Sequence, residues 1–318
     1  YFILLFRFSF ATFFGAFLSL VMLFFTVVQL LIGITYKDMN TIDLYAQIKA
    51  KKTMLCVGLD TDFNKMPQHI QKLAQDGEIA VHGELLKGTA RSLYEFNKAI
   101  IDATSEHCVA YKPNLAFYEC YGREGMLALE KTVDYIRNNH PEQFIIADAK
   151  RGDIGNTAKM YAKTYFETMD FDAVTISPYM GSETVTPFLE YPGKFAIVVA
   201  LSSNKSSADF QMAQQDGKPL YQVVMEKMMS ISNPDNMMFV VGATKADKLA
   251  EIRKFCPDNF FLVPGVGAQG GSAEEVIAHG ANAMGGLLIN SSRGIIYASN
   301  GEDFAEAAGR AAAATANI

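Results

Sequence analysis

Short apolar runs recur along this chain, and the segments between them have the spacing of amphipathic helices. Most of the runs are continuously apolar, which is typical of parallel strands covered on both faces. The predicted strands are residues 54–59, 108–111, 144–147, 173–176, 195–201, 237–241, 260–263 and 283–289. Eight strands with intervening helices in about 280 residues predict a single-domain α/β fold, the (β/α)8 TIM barrel. A doubly wound open sheet is the alternative.

The first 34 residues differ from the rest, because they are almost wholly apolar and carry one charge, Arg7. Such a segment is long enough to span a bilayer, and it lacks the pattern of a cleaved signal. The chain starts with Tyr, and Met39 opens an ordinary soluble sequence. We therefore favour an apolar leader of non-native upstream sequence over residues 1–38, with a membrane helix as the alternative. The catalytic barrel is expected over residues 39–318.

Composition excludes several classes of function. The formal net charge of −6 and the lack of a Lys/Arg stripe argue against a nucleic-acid partner. The four cysteines are scattered without a C-x-x-C pair, which favours buried thiols in a reducing compartment. The five histidines are equally dispersed, so neither a metal site nor a serine-hydrolase triad is predicted. We expect a cytoplasmic protein, with membrane attachment through residues 1–34 not favoured.

One strand end carries an unusual concentration of charge. The apolar run 144–147 is followed by an acid, a base and an acid at Asp148, Lys150 and Asp153. In an extended strand alternate side chains share a face, so Asp148 and Lys150 are expected to point the same way. Opposed charges crowded at a strand end are costly to desolvate and are rarely needed for folding. The pattern favours a catalytic site over a surface ion pair.

Other predicted strands also end in polar residues, and in a barrel these ends meet at one face. The first ends at Asp60, the second at Lys112 and the fifth near Ser203. The glycines of segment 265–271 and the guanidinium of Arg293 follow the last two strands and predict a phosphate site. The G-x-G-x-x-G pattern at 265–270 lies late in the chain, without an acid about 20 residues on, so a dinucleotide site is disfavoured.

These residues predict a ligand with a phosphate at one end and a reacting group at the other. The reacting group would face Lys112, Asp148, Lys150 and Asp153. Two lysines interleaved with two aspartates favour the ionised form of all four. Such preorganised charge can act on a substrate without a cofactor.

Residues 148–157 resemble the D-x-K-x-x-D-I-G-N-T signature of the orotidine 5′-monophosphate decarboxylase family. Segments 57–60, 111–114, 177–181, 202–204, 264–269 and 292–294 also resemble that family, and the likeness extends from about Met39 to the C-terminus. The longer bacterial branch is the most similar. This resemblance implies decarboxylation of orotidine 5′-monophosphate to uridine 5′-monophosphate and CO2, the last step of de novo UMP synthesis, with no cofactor.

The resemblance also implies roles for individual residues. Lys150 would stabilise and then protonate the carbanion at C6, and Asp148 would lie against the substrate carboxylate. Asp60 and Lys112 would bind ribose hydroxyls, with Lys112 also bracing Asp148. Further expected contacts are Ser203 with the pyrimidine, and Gln269 and Arg293 with the phosphate. Asp153, Ile154 and Thr157 would reach across a two-fold interface into the neighbouring subunit's site, which implies a homodimer with a shared active site.

Three rival functions share some of these features. A keto-gulonate-phosphate decarboxylase or hexulose-phosphate synthase has a similar D-x-K-x-x-D pattern but uses magnesium, and the following Ile-Gly-Asn-Thr favours the pyrimidine enzyme. A Schiff-base aldolase would need Lys150 as a neutral amine, which its aspartate neighbours oppose. A non-catalytic, membrane-tethered nucleotide-binding protein is supported only by the leader.

Overall fold

The computed structural model describes residues 39–266 and 271–316, and within them eight parallel strands close into a barrel. The strands are β1 Leu55–Leu59, β2 Ala110–Pro113, β3 Phe144–Arg151, β4 Ala173–Ile176, β5 Phe195–Leu201, β6 Met237–Val241, β7 Phe261–Pro264 and β8 Leu287–Ser291. Each strand pairs in parallel with the next one along the chain, and β8 pairs with β1. The predicted TIM barrel is confirmed.

The strand bounds follow the apolar runs, with two notable differences. The third strand was predicted to end at Ala147, whereas β3 continues through the charged residues to Arg151. The eighth was predicted to begin at Ala283, but the chain turns at Gly285 with a φ of 77°, and β8 begins at Leu287. Glycine reaches this left-handed region without a Cβ clash, so the turn interrupts a run that looks continuous by hydropathy.

Helices connect the strands and surround the barrel. In the described ranges, those of eight or more residues are α1 Thr41–Lys51, α2 Gly88–Thr104, α3 Gly122–Asn139, α4 Gly155–Lys163, α5 Leu220–Met229, α6 Ala246–Phe255, α7 Ala273–Gly280 and α8 Phe304–Ala316. Helix α2 begins at Gly88, shortly after a hairpin in which Glu84–Leu86 pairs with Ile79–Val81. A second hairpin, Gln214–Gln215 with Lys218–Pro219, lies between β5 and α5.

The apolar core has two layers, one inside the barrel and one between the barrel and its helices. Strand β7 contributes to both, because Leu262 joins the inner cluster while Phe261 and Val263 join the outer one. Leu44 and Ile48 of α1 pack with the inner cluster, which includes the first residues of several strands. The N-terminal end of the barrel is therefore closed, and a ligand has access at the C-terminal end, as is usual for this fold.

The predicted leader, residues 1–38, lies outside the described residues. None of the helices within residues 39–266 and 271–316 combines the length and the apolar character that a bilayer span requires. The four cysteines are free, and Cys56, Cys108 and Cys256 are buried.

Candidate active site

A cavity of about 290 Å³ opens at the C-terminal ends of the barrel strands. Its volume is close to the lower end of the range for small-molecule sites, about 300 Å³. Residues at or near the C-terminal ends of β1, β2, β3, β5, β6, β7 and β8 form its wall. The structure brings together six of the predicted site residues there: Asp60, Lys112, Asp148, Lys150, Ser203 and Arg293.

Four charged side chains form a chain of alternating sign along one wall. Lys112 Nζ lies 2.8 Å from Asp148 Oδ2 and 3.9 Å from Asp60 Oδ1. Lys150 Nζ lies 2.5 Å from Asp148 Oδ1, on the opposite side of the same carboxylate. The Lys112 and Asp148 side chains are buried, whereas that of Lys150 is 55% exposed and faces the cavity. An ammonium group is thus held at the cavity wall by a buried carboxylate.

The charge states of the two buried groups follow from their neighbours. Burial alone would raise the pKa of Asp148, but the ammonium groups of Lys112 and Lys150 outweigh burial and hold that pKa well below its usual range. Burial would likewise lower the pKa of Lys112, but Asp148 and Asp60 hold it above its usual range. Asp148 is therefore ionised and Lys112 protonated at neutral pH.

The backbone at Lys150 is not the regular extended strand on which the sequence expectation was based. Lys150 has a φ of 45°, in the left-handed region that non-glycine residues seldom adopt. The pairing of β3 with β4 is also irregular between Ala147 and Arg151. Asp148 and Lys150 meet because the chain bulges here, and strand alternation does not account for their contact. Bulges beside active sites often redirect a side chain in this way.

Asp60 is supported from behind by two tyrosines, the half-buried Tyr297 and the buried Tyr118. Tyr297 donates a hydrogen bond from its hydroxyl to the Asp60 carbonyl (2.9 Å) and accepts one from the Asp62 N–H (2.7 Å). Tyr118 donates to the Leu59 carbonyl (3.1 Å). Among the described residues, Asp60 Oδ1 has no hydrogen-bond partner, although it is buried. A buried acceptor of this kind is suited to a ligand hydroxyl.

The opposite part of the cavity is suited to an anion. Gly265, Val266, Ser292 and Arg293 line it, and Arg293 begins the short helix Arg293–Ile296. Arg293 is exposed at this part of the wall, where its guanidinium can pair with an anion. Gln269, the other predicted phosphate ligand, lies in segment 267–270, outside the described residues.

The end of β5 forms a third part of the wall and is closely packed. Gln211 accepts a hydrogen bond from the Ser202 N–H at 2.8 Å. Ser203 follows Ser202 and lies against Gly242. A Cβ at position 242 would be 2.7 Å from the Ser203 backbone. Thr244 donates to the Ser203 carbonyl at 3.2 Å. The position of Ser203 therefore depends on the absence of a side chain at residue 242.

Three predicted site residues lie elsewhere. Asp153 precedes α4 and accepts a hydrogen bond from the Ile154 N–H, and Thr157 is exposed in the first turn of that helix. None of the three lines the cavity of its own chain. Ile154 is 47% exposed, which is high for a large apolar side chain. The structure therefore separates these residues from the charged cluster at Asp148.

Sequence reasoning did not identify every residue of the site. Asn114, Asn290 and Ser292 line the cavity although no role was assigned to them. Thr175, in the middle of β4, bonds both to the Asp148 carboxylate and to the Lys150 N–H. The signal for Thr175 is a single hydroxyl in an otherwise apolar strand, which is weak by itself because threonine is common in strands.

Comparison with known proteins identifies relatives over most of the chain. A model of the orotidine 5′-phosphate decarboxylase / HUMPS family matches residues 53–308. The orotidine 5′-phosphate decarboxylase of Phocaeicola vulgatus is 53% identical over 275 residues, which cover 86% of this chain and 95% of the relative. That of Bacteroides fragilis is 54% identical over 276 residues, covering 86% and 94%.

Solved structures are similar as well. The structure of Leishmania donovani OMP decarboxylase matches this one with a TM-score of 0.68 and 35% sequence identity. The match covers 86% of this chain and 95% of the other.

Proposed function

The chain belongs to the orotidine 5′-phosphate decarboxylase / HUMPS family, and on that basis we propose that it converts orotidine 5′-monophosphate to uridine 5′-monophosphate and CO2. The observation that carries the proposal is the ammonium of Lys150, held 2.5 Å from Asp148 at the wall of the cavity. The reaction needs a cation and a proton donor beside one carbon. Lys150 supplies both in a site that also presents Arg293 to a phosphate.

The reaction breaks the bond between C6 and the carboxylate carbon, and the electron pair stays on C6. That pair occupies an sp2 orbital in the plane of the ring. It is therefore localised, because an in-plane orbital does not overlap with the π system. The Lys150 ammonium stabilises the anion by charge and then transfers a proton to C6, which forms the C–H bond of the product. Fixed charges of this kind are effective because they need no reorganisation during the reaction.

Asp148 contributes by orienting Lys150. Its Oδ1 accepts from Lys150 and Thr175, and its Oδ2 accepts from Lys112, so both oxygens have protein partners before a substrate binds. The carboxylate therefore holds the Lys150 ammonium at the wall of the cavity. Its negative charge beside the substrate carboxylate would also raise the energy of the bound substrate, and we treat that contribution as secondary.

The remaining contacts bind parts of the substrate that do not react. Asp60 Oδ1, which has no hydrogen-bond partner among the described residues, is placed to accept a ribose hydroxyl beside Lys112. Ser203 lines the cavity where the pyrimidine would lie, and Arg293 would pair with the phosphate, together with Gln269. Binding energy at the phosphate can then contribute to lowering the barrier at C6.

We further propose a homodimer in which Asp153, Ile154 and Thr157 complete the site of the other subunit. The exposed apolar side chains near α4 support this: Met160 is 59% exposed, and in the loop after β4 Tyr179 is 83% exposed. The short helices that follow this loop pack against α4, so the two elements are neighbours. Apolar surface of this kind is typical of subunit interfaces. Cytoplasmic location and a place in UMP synthesis stay predictions.

Turnover is tested by adding orotidine 5′-monophosphate to the full chain and following ultraviolet absorbance and CO2 release. We expect turnover that is unchanged by EDTA. Absence of turnover would refute the proposed function. Activity that EDTA abolishes and magnesium restores would instead favour the magnesium-dependent sugar-phosphate branch of the family.

The shared site is tested by mixing two inactive variants, Lys150→Ala and Asp153→Ala. A hybrid dimer has one site that carries both substitutions and one site with neither, so mixing and re-equilibration should restore up to about a quarter of the wild-type activity per chain. A mixture that stays inactive although its subunits have exchanged would contradict a site built from both chains.

A further inference from the structure

Thr175 occupies a special place in the barrel. Its neighbours along β4, Val174 and Ile176, contribute to the outer apolar layer, so its own side chain points into the barrel on the same face as Ala173. It is 1% exposed and does not line the cavity. A hydroxyl at this position does not reach a ligand in the cavity, so its hydrogen bonds are made within the protein.

The irregular pairing of β3 with β4 is centred on this residue. Ala147 pairs with Val174 and Arg151 pairs with Ile176, so three residues of β3 lie opposite Thr175 alone. Those three residues include both Asp148 and Lys150. The bulge that carries the proposed proton donor is therefore spanned by one side chain of the neighbouring strand.

The Thr175 hydroxyl contacts both ends of this bulge. Its Oγ1 accepts a hydrogen bond from the Lys150 N–H at 2.9 Å and donates one to Asp148 Oδ1 at 3.1 Å. The directions are fixed by chemistry, because a backbone N–H can only donate and an ionised carboxylate can only accept. Lys150 Nζ closes the ring through its own bond to the same oxygen at 2.5 Å.

A hydroxyl is the smallest side-chain group that satisfies both partners at once. Lys150 has a φ of 45°, a left-handed conformation that is unfavourable for a non-glycine residue. Without the hydroxyl, the Lys150 N–H would lose its acceptor in a partly buried position, and Asp148 would lose one of the three donors that orient it. Both losses favour relaxation of the bulge, which would turn Lys150 away from the reacting carbon.

We propose that Thr175 is a positioning residue for the decarboxylation, and that its hydroxyl holds the Lys150 backbone and the Asp148 carboxylate in the geometry that aims the ammonium into the cavity. This inference rests on the proposed function. Thr175 acts through Asp148 and Lys150 and does not touch the substrate. Its loss should therefore reduce the rate of the chemical step and leave ground-state binding unchanged.

The test compares Thr175→Val, which keeps the shape and removes the hydroxyl, with Thr175→Ser, which keeps the hydroxyl. A lost bond to a charged group corresponds to roughly 10- to 100-fold in rate. We expect Thr175→Val to lower kcat by about that factor, while KM and the Kd for uridine 5′-monophosphate change by less than about threefold. Thr175→Ser should keep kcat within about threefold of wild type.

Thr53→Val is the matched control. Thr53 is also buried and also accepts a backbone N–H, that of Leu55 at 3.1 Å, but it lies at the N-terminal end of the barrel. This variant should lose stability and keep its kcat. Thr175→Cys, whose thiol is a weak donor and acceptor, should have a kcat between those of the serine and valine variants, and it serves if Thr175→Val does not fold.

The inference is overturned if wild type is active and Thr175→Val retains its kcat, or if the loss appears equally in uridine 5′-monophosphate affinity. It is also overturned if serine does not restore kcat, or if the cysteine variant is as active as wild type. A wild-type chain without turnover refutes the proposed function itself, and the inference falls with it.

Discussion

Replacing Lys112 by methionine should destabilise the folded protein and impair catalysis together. Lys112 is 4% exposed, and its ammonium lies 2.8 Å from Asp148 and 3.9 Å from Asp60. Methionine keeps most of the apolar stem and removes the charge. Removing one partner of a buried ion pair costs about 3–5 kcal/mol. Because Asp148 keeps its bonds to Lys150 and Thr175, we expect a loss of folding free energy at the lower end of this range, about 3 kcal/mol at pH 7.

The pH dependence of this loss identifies its cause. In the wild type the pKa of Asp148 is depressed, so its stabilisation is present above the unfolded-state pKa of about 3.9 and is lost only at still lower pH. Without Lys112 the pKa of Asp148 rises, and protonation relieves the buried charge at a higher pH. The difference in free energy of unfolding between wild type and Lys112→Met should therefore narrow as pH falls from 7 towards 4.

Urea unfolding at several pH values measures this difference, and turnover is measured on the same samples. Lys194→Met is the control, because Lys194 is also buried and bonds Asp170 Oδ1 at 2.9 Å, next to the N-terminal end of β5. It should keep its kcat. The reasoning is refuted if Lys112→Met is as stable as wild type at pH 7, or if the difference widens on acidification.

Three further substitutions test other parts of the account. Arg293→Ala should weaken uridine 5′-monophosphate binding, measured by calorimetry, by about 2–3 kcal/mol, and unchanged affinity would remove Arg293 from the phosphate site. Gly242→Ala should displace Ser203 and raise the Kd for the same ligand about tenfold, or ~1.4 kcal/mol; unchanged binding would show that the backbone adapts. Arg253 donates to five carbonyls and lies 3.8 Å over the Phe261 ring, while burial lowers its pKa to about 10. Arg253→Met should lower the free energy of unfolding, measured with urea, by about 3 kcal/mol and leave kcat unchanged. A folded variant that has lost turnover would contradict a purely structural role for Arg253.

The barrel could be predicted because its strands are buried on both faces and therefore read as continuous apolar runs. The charged cluster was visible for a related reason, since Lys112, Asp148 and Lys150 follow such runs directly, and parallel strands bring their ends together. Where a turn in the backbone decides the end of a strand, as at the start of β8, the sequence prediction was less accurate. Gly285 and Gly286 lie within an apolar run, and their positive φ angles place a turn before β8 that hydropathy does not indicate.

Thr175 and the bulge of β3 lay beyond sequence reasoning for a different reason. A threonine between Val174 and Ile176 is an ordinary strand residue by composition, and its role depends on which strand lies beside it and in which register. Strand alternation correctly predicted that Asp148 and Lys150 lie together, but it assumed a regular extended backbone. The backbone of Lys150 is in the left-handed region instead. Residues 1–38 and Gln269 lie outside the described residues, so the expectations for them stay predictions.

The central claim is that the Lys150 ammonium stabilises and protonates the carbanion at C6. The most direct test is the turnover of Lys150→Ala, with uridine 5′-monophosphate affinity as the check that the site remains folded. The account predicts that kcat falls at least about 10⁴-fold, since both charge stabilisation and the proton donor are lost, while affinity changes less than about tenfold. Added ethylammonium should restore part of the rate. A folded, ligand-binding Lys150→Ala variant that keeps kcat within tenfold of wild type would contradict the claim.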